Sequence, residues 1–278
     1  MYESTILHFA ELAAEKVAAM QRSALGFSVG AMLAGAYIGI AMILALSAAA
    51  GLPAGVRPLV MGFTFGVGLI LTVFSGAELF TGYVMYFGFG LARGTVGATD
   101  ALRVMATVWI GNLVGAAILV TLFVLGGGGA IFADGASLLH AYAAHKVDAG
   151  AVALLSRAAL CNWLVCLAIW TASRVHDDTA KCIVLGWILA AFVAAGFEHS
   201  IANMTALGLG LLVPDPSVSF DGSVRNLVLV TAGNVLGGLV FIVGGYLAAA
   251  RSEAHGAAGH DAGVLPTTLR VPAEPSAR

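Results

Sequence analysis

A chain of 278 residues that is 60% hydrophobic and only 10% charged, with formal net charge −2, is no ordinary soluble domain, in which about a quarter of the residues carry charge. Its mean hydropathy is +0.96 and several of its apolar runs exceed the roughly 20 residues that cross a bilayer as a helix, which makes it a polytopic membrane protein. The small net charge and the lack of a basic cluster argue against a nucleic-acid partner, and Cys161, Cys166 and Cys182 form no CxxC pair and read as packing thiols.

In chain order, residues 1–25 come first as an amphipathic helix outside the bilayer. Ile6, Phe9, Ala10, Ala13, Val17 and Met20 recur at helical spacing, Glu11, Glu15 and Lys16 are assigned to other faces, and Ser4 is the expected cap. The helix is expected to pack on the membrane or on a neighbouring subunit. Glu3, Glu11 and Glu15 interrupt any apolar core, so the segment does not read as a signal peptide.

Six hydrophobic runs follow, over 27–50, 59–89, 103–125, 152–173, 183–213 and 226–249, and together they make a channel domain over 26–250. Pro53, Gly55, Arg57 and Pro58 mark a turn before the second run, and Gly126 to Gly129 end the third. Residues 130–150 carry Asp134, His140, His145, Lys146 and Asp148 and belong outside the membrane, while Pro214 and Pro216 close the fifth run. The tail over 251–278 is rich in Ala, Gly and Pro and is expected to be disordered. With the N-terminus cytoplasmic, that side holds Lys16, Arg22, Arg93, Arg103, Arg174, Lys181, Arg251, Arg270 and Arg278 against Arg57, Lys146, Arg157 and Arg225 opposite. This bias places both termini in the cytoplasm.

The second and fifth runs are long for one straight span, and each is interrupted by the same text. Gly76-Ala77-Glu78 recurs as Gly196-Phe197-Glu198, 120 residues on, and Gly111-Asn112-Leu113-Val114-Gly115 recurs as Gly233-Asn234-Val235-Leu236-Gly237. Three spans in each half make the repeats inverted, with broken second and fifth spans, a pattern that points to a transport site at mid-membrane. The glycine pairs also suit close helix packing, and asparagine at that depth needs a partner, which suggests that Asn112 and Asn234 contact the broken segments.

Ionisable groups at bilayer depth cost about 2–3 kcal/mol or more and are rarely idle. A helix broken in hydrocarbon leaves backbone N–H groups that water cannot reach. Glu78 and Glu198 are therefore read first as braces of the broken helices, with direct substrate contact as the alternative. His199 sits on a break where the repeats meet and is read as lining a pore, with Thr81, Asn203 and Asn162 as polar neighbours. Phe80 and Phe197, each beside a break, are candidate apolar constrictions.

Nothing supports catalysis: there is no GxSxG elbow, and Ser200 is adjacent to the imidazole of His199 and ill placed to meet it. A membrane-embedded enzyme is kept only as a remote alternative. One histidine inside the bilayer is too few for a metal site, no cofactor is implied, and no carbonyl filter sequence is present.

Several stretches resemble the formate/nitrite transporter family, and its nitrite-channel branch most of all. They are Glu78-Leu79-Phe80-Thr81-Gly82, Leu160-Cys161-Asn162-Trp163-Leu164-Val165-Cys166-Leu167-Ala168, Glu198-His199-Ser200-Ile201-Ala202-Asn203-Met204 and the two Gly-Asn motifs, joined by Val56-Arg57-Pro58-Leu59-Val60-Met61-Gly62 and the Ala34–Tyr37 region. The likeness covers about residues 1–250. It implies an all-α, aquaporin-like fold of six transmembrane helices, a homopentamer in the lipid bilayer of a bacterial inner membrane, and one pore per subunit. The implied cargo is a small monovalent anion, nitrite first, with formate or hydrosulfide as the alternative. By the same resemblance Thr81 and His199 line the pore, Asn162 neighbours it, and Leu79 with Phe80 forms an apolar slit. Tyr83 departs from the small or polar residue expected after the Thr-Gly pair.

The expected mechanism draws on helix dipoles aimed at the pore centre. A low dielectric raises the pKa of a weak acid, so the anion takes a proton from His199 or from relayed water and crosses as the neutral acid. Electrostatic conduction of the bare anion is the competing expectation.

Overall fold

A computed structural model describes residues 2–213, 215 and 217–261, with side-chain surroundings through 253. Pro214 and Pro216, expected to close the fifth run, lie outside the described residues, as do residues 262–278 of the tail. The described residues are all helical, with no strand among them. In order, the helices are α1 (Glu3–Arg22), α2 (Ala24–Ala49), α3 (Arg57–Phe65), α4 (Val67–Ser75), α5 (Phe80–Arg93), α6 (Ala98–Leu125) and α7 (Gly129–Phe132). Then come α8 (Ala136–Asp148), α9 (Ala151–Ser173), α10 (Asp178–Ala194), α11 (Ser200–Leu212), α12 (Phe220–Gly237), a π-helical stretch (Gly238–Gly244) and α13 (Gly245–Asp261).

By length and composition five helical stretches suffice to cross a membrane: Ala24–Ala49, Arg57–Ser75, Ala98–Leu125, Ala151–Ser173 and Phe220–Glu253. At 1.5 Å per residue the apolar helix α11 is only about 20 Å long, against about 30 Å of hydrocarbon.

The core is built from two helix pairs, α2 on α6 and α9 on α12. The Gly-Asn motifs permit the close approach. A Cβ at Gly115 would lie 1.8 Å from the Met32 carbonyl oxygen, and one at Gly237 would lie 2.1 Å from that of Ala159. Backbones this near gain dispersion contacts and, in lipid, supply much of the drive for association.

Three expectations change. Ser4 does not cap α1; it lies inside the first turn, and Tyr2 occupies the cap position without a side-chain bond. The apolar face of α1 packs on α5 of its own chain rather than on lipid or a neighbour: Phe9 stacks on Tyr86, with centroids 5.3 Å apart, and lies 6.0 Å from Trp170. The segment after 250 does not turn irregular there, because α13 continues through Asp261.

Candidate functional site

Two glycines in the left-handed region end the helices that precede the site. Gly76 has φ 70° and Gly196 has φ 72°, conformations glycine adopts without Cβ strain. Three residues follow each glycine before the next helix begins, at Phe80 in one case and Ser200 in the other. Both breaks must then satisfy amides that water cannot reach.

Asparagines from the core helices do this, in matching fashion. Asn112 Oδ1 accepts from the Phe80 amide at 3.0 Å, and its Nδ2 donates to the carbonyls of Ala31 at 2.7 Å and Glu78 at 2.9 Å. Asn234 Oδ1 accepts from the Ser200 amide at 2.9 Å, and its Nδ2 donates to the carbonyls of Ala158 at 2.8 Å and Glu198 at 2.9 Å. The Glu78 and Glu198 amides complete the clamps by donating to Gly30 and Arg157 carbonyls. Both asparagines are fully buried, with all four of these side-chain groups used.

The carboxylates of Glu78 and Glu198 do a different job from the backbone bracing expected of them. Each takes a lysine. Lys16 Nζ donates to both Glu78 oxygens at 2.9 and 2.8 Å, and the Tyr83 hydroxyl donates to Glu78 at 2.5 Å. Lys146 Nζ donates to Glu198 at 2.8 Å, and Asn203 Nδ2 donates to the same carboxylate at 2.6 Å. Asn203 also bonds Asn226 Oδ1, which in turn ties to the Lys146 carbonyl through Asn226 Nδ2. Lys146 lies on α8, outside the apolar stretches, yet it is only 3% exposed. Burial alone would push its ammonium down, but Glu198, with the Tyr142 hydroxyl, overrides this and holds it above the usual lysine range.

His199 caps α11. Its Nδ1 accepts from the Ala202 amide at 3.1 Å, so in the neutral ring the proton sits on Nε2, which lies 3.1 Å from Thr81 Oγ1. This contact joins the start of α5 to the start of α11. A cavity of about 320 Å³ lies on the α1 side, lined by Glu78, Leu79, Tyr83, Lys16, Lys181 and His8 among others. A second, of about 350 Å³, lies on the α8 side and is lined by His199, Phe197, Asn203, Glu198, Lys146 and Phe192 among others.

The expected site residues therefore sort as follows. His199, Phe197 and Asn203 face the α8-side cavity and Leu79 the α1-side one. Thr81 and Phe80 are buried between them and line neither. Asn162 stands back from both; its Nδ2 donates to the Asn234 carbonyl at 2.7 Å. Among the described residues no three His, Cys, Asp or Glu side chains could hold a metal ion.

The sequence gives no role to Lys146, Tyr142 or Asn226, sets Lys16 on another face, and marks Tyr83 only as a departure from the family pattern. Lys16 was assigned to the wrong face: at 100° per residue it falls about 20° from Phe9, on the apolar stripe. Lys146 bears the same relation to Leu139 on α8. A lone lysine on a buried helix face is the signal that identifies both.

With this geometry in place, comparison with known proteins decides the family. The chain matches the formate/nitrite transporter family over residues 5–248. It belongs to that family. It is 41% identical over 247 residues to the nitrite transporter NirC of Salmonella typhimurium, covering 88% of this chain and 91% of that one. Among solved structures of formate/nitrite transporters, a channel described as an FNT family ion channel superposes with TM-score 0.86 at 41% identity, over 89% of this chain and 99% of the other. A pentameric formate channel with formate bound superposes with TM-score 0.71 at 31% identity, over 82% and 97%.

Proposed function

We propose that the chain is a channel for small monovalent anions, nitrite first and formate as the alternative cargo, working as a homopentamer with one pathway per subunit. On this reading the helices form six spans in two inverted halves, α3–α4 with α5 making the second and α10 with α11 the fifth. The protein sits in a bacterial inner membrane with the α1 side cytoplasmic. The observation that carries the reading is the pair of cavities that approach each other across the Thr81–His199 contact. The N-termini of α5 and α11 meet there, so two sets of positive dipole ends favour an anion with no fixed cation at the centre.

Leu79, Phe80 and Phe197 serve as the apolar flanks, where desolvation favours the neutral acid over its anion. Asn203 and the two carboxylate–lysine pairs hold the mouths in shape, and Asn112, Asn234 and Asn162 brace the breaks. The His199 cap bears on the two competing mechanisms. A second proton on Nδ1 would displace the Ala202 amide and uncap α11, and loss of the Nε2 proton alone would leave an imidazolate. Both routes are costly. The arrangement favours a neutral imidazole that donates a hydrogen bond to the passing anion, with any proton delivered by water from the cavities.

The reading as a pore rather than a membrane-embedded enzyme is supported by Ser200, whose Oγ is buried without a hydrogen-bond partner among the described residues, so no serine–histidine pair exists there. The test is uptake of nitrite, formate and hydrosulfide into proteoliposomes holding the purified protein. Saturable or channel-like nitrite entry above that of empty vesicles is expected; entry equal to that of empty vesicles for all three anions overturns the reading. His199→Phe is expected to reduce nitrite entry strongly.

A further inference from the structure

We infer that Arg57 collects anions at the mouth of the α8-side cavity and sets how readily they pass it. This deepens the transport reading and rests on it. The lysines and arginines that line the two cavities are Lys16 and Lys181 on the α1 side, and Arg57 and Lys146 on the α8 side. Three of them are neutralised: Lys16 by Glu78 at 2.8 Å, Lys146 by Glu198 at 2.8 Å and Lys181 by Asp178 at 2.9 Å. Arg57 pairs with no carboxylate among the described residues.

Its side chain is held by the stem and free at the end. Arg57 Nε donates to the Leu52 carbonyl at 2.8 Å, across the turn between α2 and α3. The two terminal nitrogens have no hydrogen-bond partner among the described residues, and neither is shut off from solvent. A guanidinium stays charged at any physiological pH. Its paired N–H groups match an anion that presents two oxygens, as nitrite and formate both do. The other titratable groups of this cavity do not supply the charge. Lys146 and Glu198 neutralise each other, Tyr142 lies under the Lys146 ammonium, His145 is an exposed ring on α8, and His199 caps α11.

Placement argues against a purely structural arginine. Arg57 is the first residue of α3, at the positive end of that helix's dipole, where a cation is disfavoured. The first turn of α3 holds no acidic residue, and no side chain caps it. The start of α10, beside the other cavity, is built the opposite way: Asp177 caps it, and Asp178 in the first turn takes Lys181. The helix end and the guanidinium at the α8-side mouth thus add their positive potentials, and an anion in the cavity is the group that gains from both.

The experiment is initial nitrite uptake at low nitrite and low ionic strength into proteoliposomes holding wild type, R57Q, R57K or A54E. Ala54 is exposed on the wall of the same cavity, so A54E adds a carboxylate there and leaves Arg57 and its Leu52 tie in place. Size-exclusion profiles and melting curves of each purified protein report folding, and A54E carries the test if R57Q does not fold. At low nitrite the permeability of a passive pore is equal in both directions, so mixed insertion does not mask the effect. Expected is a fall on the order of tenfold for R57Q and A54E, with R57K within about threefold of wild type. The R57Q and A54E deficits shrink as salt rises, because screening removes what the charge contributes. Folded R57Q or A54E with wild-type uptake, R57K no better than R57Q, or a deficit that salt leaves unchanged overturns the inference while leaving the transport reading intact. Wild type no better than empty vesicles overturns both.

Discussion

At the Gly76 break the carboxylate reaches a lysine from α1, a helix laid against the outside of the bundle, in a pair whose side chains are 21% and 12% exposed. At the Gly196 break the corresponding carboxylate reaches a lysine from α8, within the bundle, in a pair exposed by only 4% and 2%. The backbone repair is the same at both: one asparagine, one accepted amide, two carbonyls, with distances agreeing within about 0.1 Å. The lesson is that a broken helix in hydrocarbon fixes its own backbone problem with a neutral amide, which carries no desolvated charge. The charges are then free to differ, and they do. Both pairs line a cavity, but one is almost closed to solvent and the other is more open and tied to α1.

The sealed pair gives the largest expected effect. Lys146→Met leaves Glu198 uncompensated at 2% exposure, and breaking such a buried pair costs about 3–5 kcal/mol. A large drop in melting temperature is expected, with most of it recovered in Lys146→Met/Glu198→Gln. Because Glu198 holds the Lys146 ammonium above its ordinary value of 10.5, the stability due to this lysine is fully present below that pH. It is lost only as pH rises through the higher folded-state value. Wild type should therefore show an alkaline fall in melting temperature that Lys146→Met lacks.

Next come the asparagines. Asn112→Ala and Asn234→Ala each orphan a buried amide, at about 1–3 kcal/mol, and thermal melts of the two variants should agree. A clear difference between them would break the equivalence of the two clamps. Smaller again are Gly76→Ala and Gly196→Ala. A Cβ at either position meets nothing within 4 Å, so only the backbone strain counts, about 1–2 kcal/mol at each. Equal shifts would sharpen the claim that both breaks use one backbone design.

Smallest is Lys16→Met. Its pair is partly exposed, and such pairs contribute about 1 kcal/mol or less. Its melting curve should nearly overlay that of wild type, which separates the more open pair from the Lys146–Glu198 pair by a single thermal melt of each variant.

Much of this was legible in the chain. The apolar runs, the repeated Gly-x-Glu interruptions and the repeated Gly-Asn motifs are local text, and local text reports where a helix must stop and where backbones must approach. The roles of Asn112 and Asn234 as contacts to the breaks followed from their depth. The destination of each carboxylate did not. Glu78 is 62 residues from Lys16, and Glu198 is 52 from Lys146. Both lysines sit in segments that read as external to the membrane, so their direction depends on where those helices dock.

By itself the sequence determined a membrane protein with two repeated interruptions, because hydrophobic period and glycine placement act over a few residues. Only the tertiary structure decided that asparagines satisfy the broken backbones, that His199 spends one ring nitrogen as a helix cap, and that the carboxylates are neutralised from two unlike helices. Those outcomes are settled by which surfaces pack together. A charge buried at an interface takes whatever partner the packing brings within reach.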